Sequence, residues 1–174
     1  MKKIIGKNAL ISVMEFQNIP AKIDTGADSS AIWVSDLNVS EDGVLTFKLF
    51  GKKSPFYNGK IIQKSKDSYK VVITRSSHGD RKAYYRTTLP AIIKGQKINI
   101  LFTLSNRAEH QFPILIGRRT LENRFIVDVA KSEVKNIPLK LPKPKSKSQK
   151  LNQELQKNPY QFHQKYIKNP KEPL

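Results

Sequence analysis

The sequence predicts an all-β domain followed by a basic tail, and three observations carry that reading. Short runs rich in Ile, Val, Phe, Tyr and Trp recur between Ala9 and Val129, each bounded by polar or glycine-bearing turns. Only Arg118 to Asn123 invites a helix, and it is short. Beyond Ala130 the periodicity stops and Pro138, Pro142 and Pro144 interleave with lysines. A chain of 174 residues fits one core, because independently folding units run from about 50 to 200 residues. We therefore expect a domain over 1–130 and a Pro/Lys-rich tail over 131–174.

The elements follow in order. Ala9 to Met14 reads as a strand, then a polar turn around Gln17 and Asn18, then strands over Ile19 to Ile23 and Ser30 to Val34. Past the turn signal Glu41-Asp42-Gly43, Leu45, Phe47 and Leu49 alternate with Val44, Thr46, Lys48 and Phe50, and Gly51 closes the strand. Tyr69 to Arg75 and Ala83 to Thr88 flank the polar loop Ser76-Ser77-His78-Gly79-Asp80, which predicts a projecting hairpin. Residues 89–93 and 97–104 form a second pair about Lys94-Gly95-Gln96, and Phe125 to Val129 is the last strand. In the tail, Leu151, Leu155, Tyr160, Phe162, Tyr166 and Ile167 could line a short amphipathic helix against a partner surface. Its composition otherwise favours disorder.

Charge and composition narrow the function classes. The net charge is +18, and the tail is the denser part, with 11 Lys against 3 Glu. Such a field attracts nucleic acid, anionic surfaces or acidic protein segments without choosing among them. There is no cysteine, which excludes disulfides and thiolate metal sites and fits a reducing compartment. Met1 to Lys7 has the basic start of a signal peptide, but Lys7 and Asn8 interrupt the apolar run. No stretch reaches the roughly 20 apolar residues of a membrane-spanning helix. The expected setting is soluble and cytoplasmic, with no membrane insertion.

The segment most pointed toward chemistry is Lys22-Ile23-Asp24-Thr25-Gly26-Ala27-Asp28-Ser29-Ser30-Ala31. Apolar Ile23 should be buried, so Asp24 sits where a strand leaves the core. Gly26 allows a sharp turn and close approach of a substrate. Thr25 can lock the turn through its hydroxyl. Taken alone, Asp-Thr-Gly also suits an ordinary turn aspartate.

Asp24 to Asp28, followed far downstream by Phe112-Pro113-Ile114-Leu115-Ile116-Gly117-Arg118, resembles the retroviral-type aspartic proteases, the retropepsins. Phe102 to Arg107, Ser76 to Asp80 with Arg86-Thr87-Thr88, and Phe125 to Asp128 are similar to a narrower group. Those bacterial and archaeal retropepsin-like proteins are sometimes labelled ATP-dependent zinc proteases and are linked with ribosomal-protein-modifying ATP-grasp ligases. The resemblance covers roughly residues 9–130.

It implies a retropepsin-like closed β-barrel half with one short helix near the C-terminal end of the domain, and a homodimeric aspartic endopeptidase acting on a peptide or protein substrate. Asp24 would be the catalytic carboxylate, facing Asp24 of a second copy. Two close carboxylates do not both ionise cheaply, so one keeps a proton while the other activates water. Thr25, Gly26, Ala27 and Asp28 would form the active-site turn and bind substrate, with Thr25 clamping the two turns together. Gly117 and Arg118 would support the site, Arg118 by pairing with Asp28. The loop Ser76, Ser77, His78, Gly79 and Asp80 is the candidate flap, with residues 51–60 as the alternative, although neither has the doubly glycine-rich tip of viral flaps.

The zinc and ATP labels find no support in the residues themselves. There is no His-Glu-x-x-His motif, His78, His110 and His163 are scattered, and no glycine-rich phosphate loop occurs. We expect no metal and no cofactor. Two other functions remain open: a peptide-binding module of the same fold with little or no hydrolysis, acting as a partner of an ATP-grasp ligase system, and a nucleic-acid- or ribosome-associated role for the basic tail with Arg75, Arg81, Lys82 and Arg86.

Overall fold

The protein is described by a computed structural model, in which residues 1–75, 81–134, 153–154 and 156–168 are placed. It divides into two compact units, Met1–Leu139 and Lys140–Leu174. In the second, Asn158 caps a single helical turn, α2 (Pro159–Phe162), by accepting the Gln161 N–H at 3.1 Å. A wider π-type turn continues it over His163–Lys168.

Among the described residues, the first unit is built from eleven strands and one short α-helix, with a 3-10 turn at Lys66–Ser68. In chain order these are β1 (Lys3–Gly6), β2 (Asn8–Val13), β3 (Phe16–Asp24), β4 (Ser30–Val39), β5 (Leu45–Leu49), β6 (Ile61–Lys64), β7 (Tyr69–Arg75), β8 (Arg81–Ile93), β9 (Gln96–Ser105), β10 (Ile114–Gly117), α1 (Arg118–Leu121) and β11 (Phe125–Asp128). The strands pair in the order β10-β3-β2-β8-β9-β4, and β4 returns to β10 through Ile32↔Ile114 and Ala31↔Leu115. Closure therefore makes a six-stranded barrel, which removes the free edges an open sheet would carry. Its interior is filled by alternate residues, with Ile11, Ile19, Ile32, Leu89, Ile100 and Phe102 all fully buried or nearly so. This is the all-β, closed-barrel domain with one helix that the sequence predicts.

Local chemistry explains the turns. Lys94 and Gly95 both have positive φ, at 51° and 74°, the geometry of a two-residue hairpin loop joining β8 to β9. The turn between β2 and β3 lies at Met14 and Glu15 rather than at Gln17 and Asn18. Met14 is left-handed at 53°, while Asn18, at 54°, marks a bulge where the β2–β3 register shifts. Polar Gln17 and Asn18 thus sit in an exposed bulge of β3, and their polarity mimicked a turn.

Other differences from the sequence reading are extensions. β8 runs unbroken across Pro90, whose carbonyl accepts the Met14 N–H at 2.9 Å just beyond the end of β2. Lys3–Gly6 forms β1, in parallel register with β11. β5 and β6 extend the sheet beyond β4 over a cluster that includes Trp33, Phe47 and Phe50. Residues 131–134, past the expected boundary, are bonded across β1 and β2. Lys7 N–H donates to the Lys131 carbonyl at 2.9 Å, and Asn8 accepts from the Ser132 hydroxyl at 2.9 Å and the Val134 N–H at 3.0 Å.

Candidate active site

The turn that carries Asp24 is set by strand pairing behind it. β10 lies parallel to β3 with Gly117 opposite Asp24, and antiparallel to β4 on its other side. The apolar run Ile114 to Ile116 is thereby driven through the barrel wall beneath the turn. Gly117 is the point of closest passage. A Cβ there would lie 2.5 Å from the Ser29 carbonyl oxygen and 2.8 Å from that of Ala27, so no other residue fits without moving backbone.

Around Gly117 the polar groups close into a buried network. The Ser30 hydroxyl accepts from the Gly117 N–H at 3.1 Å and shares a hydrogen bond with the Thr120 hydroxyl at 2.9 Å. The Arg118 N–H donates to the Ala27 carbonyl at 2.8 Å, and the Arg119 N–H to that of Asp28 at 3.3 Å. Helix α1 is thus fastened to the turn through main chain, and two guanidinium groups follow. Arg118 pairs with Asp28 Oδ1, as the sequence resemblance implies. Arg119 pairs with Asp28 Oδ2 at 3.0 Å, which the sequence reading did not include. The motif stops at Gly-Arg, and only the α1 start brings the second arginine to the same carboxylate.

Asp24 itself sits at the end of β3, with its side chain about one quarter exposed. Its Oδ1 accepts the Gly26 N–H at 3.1 Å, and its carbonyl accepts the Ala27 N–H at 3.3 Å. The carboxylate therefore locks its own turn, a role the sequence reading gave to Thr25. Thr25 and Gly26 are exposed, and no hydrogen bond within the described residues engages the Thr25 hydroxyl.

Lys22, two residues back on the same strand face, places its ammonium 3.1 Å from Asp24 Oδ2. Burial pushes the Asp24 carboxyl up, but the Lys22 hydrogen bond and charge, with the Gly26 and Ala27 amides, outweigh it and hold the group below its ordinary value. Lys22 was not among the expected site residues. Its signal was the alternation Lys22, Asp24 beside buried Ala21 and Ile23.

A pocket of about 680 Å³ opens beside this pair, lined by Lys7, Lys22, Arg107, His110, Phe112 and Leu115 among others. Arg107 is buried and donates through Nε to the Phe112 carbonyl at 3.1 Å. Burial lowers its pKa, and attraction to Asp24 opposes that. Burial and the Arg107 charge likewise lower His110. On the other side of the turn, Arg86 of β8 donates to the Ser29 hydroxyl at 2.6 Å and to the Thr103 hydroxyl at 3.0 Å. It ties the root of the β7–β8 hairpin to the active-site turn. The tip of that hairpin, Ser76, Ser77, His78, Gly79 and Asp80, lies outside the described residues. Among the described residues no group of three or more His, Cys, Asp or Glu could hold a metal ion.

The parallel passage of an apolar strand ending in Gly-Arg beneath an Asp-Thr-Gly turn, in a closed six-stranded barrel, is the retropepsin arrangement. The family model described as retropepsin-like aspartic endopeptidase RimB matches residues 4–138. The chain belongs to the RimB-like family. Among solved structures, it is similar to a protein of unknown function (DUF785), Lpg0085, from Legionella pneumophila subsp. pneumophila str. Philadelphia 1. That likeness has a TM-score of 0.61 at 18% identity and covers 76% of this chain and 97% of the other. At that identity it shares the fold alone. No curated protein matches the chain. The RimB-like match begins within β1, which lies before the part of the sequence that carried the resemblance.

Proposed function

We propose that the protein is a homodimeric aspartic endopeptidase. The observation that carries this reading is the Asp24 turn: a carboxylate fixed by the Gly26 amide at a strand end, with the exposed Thr25 hydroxyl beside it unengaged among the described residues. One chain supplies one such carboxylate. A second copy, related by a two-fold axis, supplies the other and gives Thr25 a hydroxyl partner. The β1–β11 ribbon supports pairing of copies too. It is a two-stranded parallel sheet with Ile4 opposite Ile126, both about half exposed, and parallel pairs rarely stand uncovered.

In the proposed reaction the ionised Asp24 takes a proton from water as the water oxygen bonds to the peptide carbonyl carbon. The protonated partner gives its proton to the carbonyl oxygen. As the resulting diol collapses and the C–N bond breaks, Asp24 passes the proton it took from water to the amine nitrogen and the partner carboxylate takes the proton of a diol hydroxyl, which restores the starting pair. The charge of Asp28, four residues along, is neutralised by Arg118 and Arg119 and so does not add to that of the pair. The pocket beside Asp24, bearing Lys7, Lys22 and Arg107, favours acidic peptide segments.

Asp24→Asn should lower cleavage of a fluorescence-quenched peptide by roughly 10²-fold or more. The variant should still sediment as the wild-type dimer. Undiminished cleavage by Asp24→Asn eliminates the proposal, and a wild-type chain that is monomeric and active eliminates its dimeric part. One observation favours the peptide-binding alternative: the Lys22 ion pair keeps Asp24 ionised, which opposes the proton sharing that hydrolysis needs. Tight binding of an acidic peptide that stays intact would select it.

A further inference from the structure

Among the described residues, Lys22 is the one cation that forms an ion pair with the proposed catalytic carboxylate, and its chemistry conflicts with that carboxylate's task. We propose that Lys22 is a positioning residue that keeps Asp24 ionised in the free enzyme, and releases it to share a proton when an acidic substrate side chain takes the ammonium. The inference rests on the reading of Asp24 as catalytic.

The geometry supplies each part. Lys22 lines the pocket, and Asp24, two residues on along β3, leaves the strand on the same face. The Lys22 ammonium meets Asp24 Oδ2, while Oδ1 is held by the Gly26 amide. Both carboxylate oxygens are therefore already satisfied as acceptors from charged or polar donors, an arrangement that favours the anion. In a dimer each Asp24 would bring its own Lys22. Two compensated carboxylates lose the mutual repulsion that makes such a pair retain one proton.

The other charges facing Asp24 do not undo this. Arg107, from the segment after β9, is buried, attracts Asp24, and adds to the same bias. Asp28 is turned to Arg118 and Arg119 of α1. His110 is held below its ordinary value and stays neutral near pH 7. Lys7, which also lines the pocket, adds positive charge.

Of these cations Lys22 is the one able to leave. Its side chain is about half exposed, and a lysine on a flexible stem swings where a buried arginine does not. A carboxylate arriving in the pocket competes for the ammonium and brings negative charge toward Asp24. Both effects restore the drive to hold a proton. Substrate charge thereby becomes a condition of catalysis as well as of affinity.

The test compares wild type, Lys22→Met and Lys22→Arg as full-length chains. Carboxyl-carbon NMR titration of Asp24 should show a midpoint displaced upward in Lys22→Met and unchanged in Lys22→Arg. Coincident midpoints in wild type and Lys22→Met overturn the proposal. The kinetic arm uses two quenched peptides that differ only in glutamate or glutamine beside the scissile bond. For wild type on the glutamate peptide, the pH profile of kcat, which reports the bound state, should lie above that of kcat/KM, which reports the free enzyme. In Lys22→Met the kcat/KM profile should move up toward it. Superimposed kcat/KM profiles of the two proteins also overturn the proposal. If Asp24→Asn cleaves as well as wild type, the protease reading fails on its own, and the NMR titration still decides whether Lys22 governs Asp24.

Discussion

Two glycines flank the same turn and answer to different constraints. Gly117 is buried under it, with backbone of Ser29 and Ala27 where a Cβ would go. Gly26 lies on its exposed side, outside the left-handed region, and a Cβ there would touch only Asp24 Oδ1 at an ordinary 3.5 Å. The fold of one chain therefore demands the first glycine and is indifferent to the second. The same contrast runs through the neighbouring side chains. On the buried side Ser30, Thr120 and the Gly117 amide satisfy one another, and on the exposed side the Thr25 hydroxyl has no partner among the described residues. The buried side of the turn is thus satisfied within the chain, and the proposed partner or substrate would meet the other side.

The largest expected effect falls on the buried side. Gly117→Ala forces backbone apart at three contacts under 3 Å. Overpacking against atoms that cannot rotate away costs at or above the upper end of about 1–3 kcal/mol. A fall in melting temperature on the order of 10 °C is the expected reading. A shift within error would mean the turn is less tightly backed than its geometry indicates. Ser30→Ala should come next. It leaves the Gly117 amide and the Thr120 hydroxyl without their shared partner in a buried place, a loss of about 1–3 kcal/mol. Denaturant unfolding measures it, and the double variant Ser30→Ala/Thr120→Val should recover part of the loss because both ends of the bond are then apolar.

How much of this was legible in the sequence follows the same division. Gly117-Arg118 and Asp24 to Asp28 were readable because each residue answers to a local demand: a backbone crossing, a turn, a fixed charge. The Arg118–Asp28 pair spans ninety positions, yet it was accessible because both ends sit in short motifs. Lys22, Arg107 and Arg86 were not readable as site residues. Their roles come from where β3, the segment after β9 and β8 meet in space, and a lysine or arginine in a chain of charge +18 is only weakly marked by strand alternation or by lying in a segment that carried the resemblance. β1 was missed for a related reason. Its four residues have a strand's composition only in light of β11, its parallel partner more than a hundred positions away. The break placed before residue 89 of β8 lies beside Pro90, which weakens a strand locally, whereas pairing with β2 and β9 carries the strand through it.

The smallest expected effect on stability is the sharpest test of the contrast between the two glycines. Gly26→Ala adds a methyl where the chain has room and uses a backbone region open to any residue. Its folding free energy should stay level or rise by about 0.4–1 kcal/mol, through the reduced entropy of the unfolded chain. If a second copy's turn or an extended substrate passes against this face, the same methyl obstructs it. Sedimentation should then show weaker dimerisation, or KM should rise, in a protein that melts no lower than wild type. Loss of stability would instead place the constraint on Gly26 inside its own chain. Unchanged stability, dimerisation and cleavage together would mean that neither partner nor substrate approaches the exposed side of the turn, and Thr25 would lose its proposed role with it.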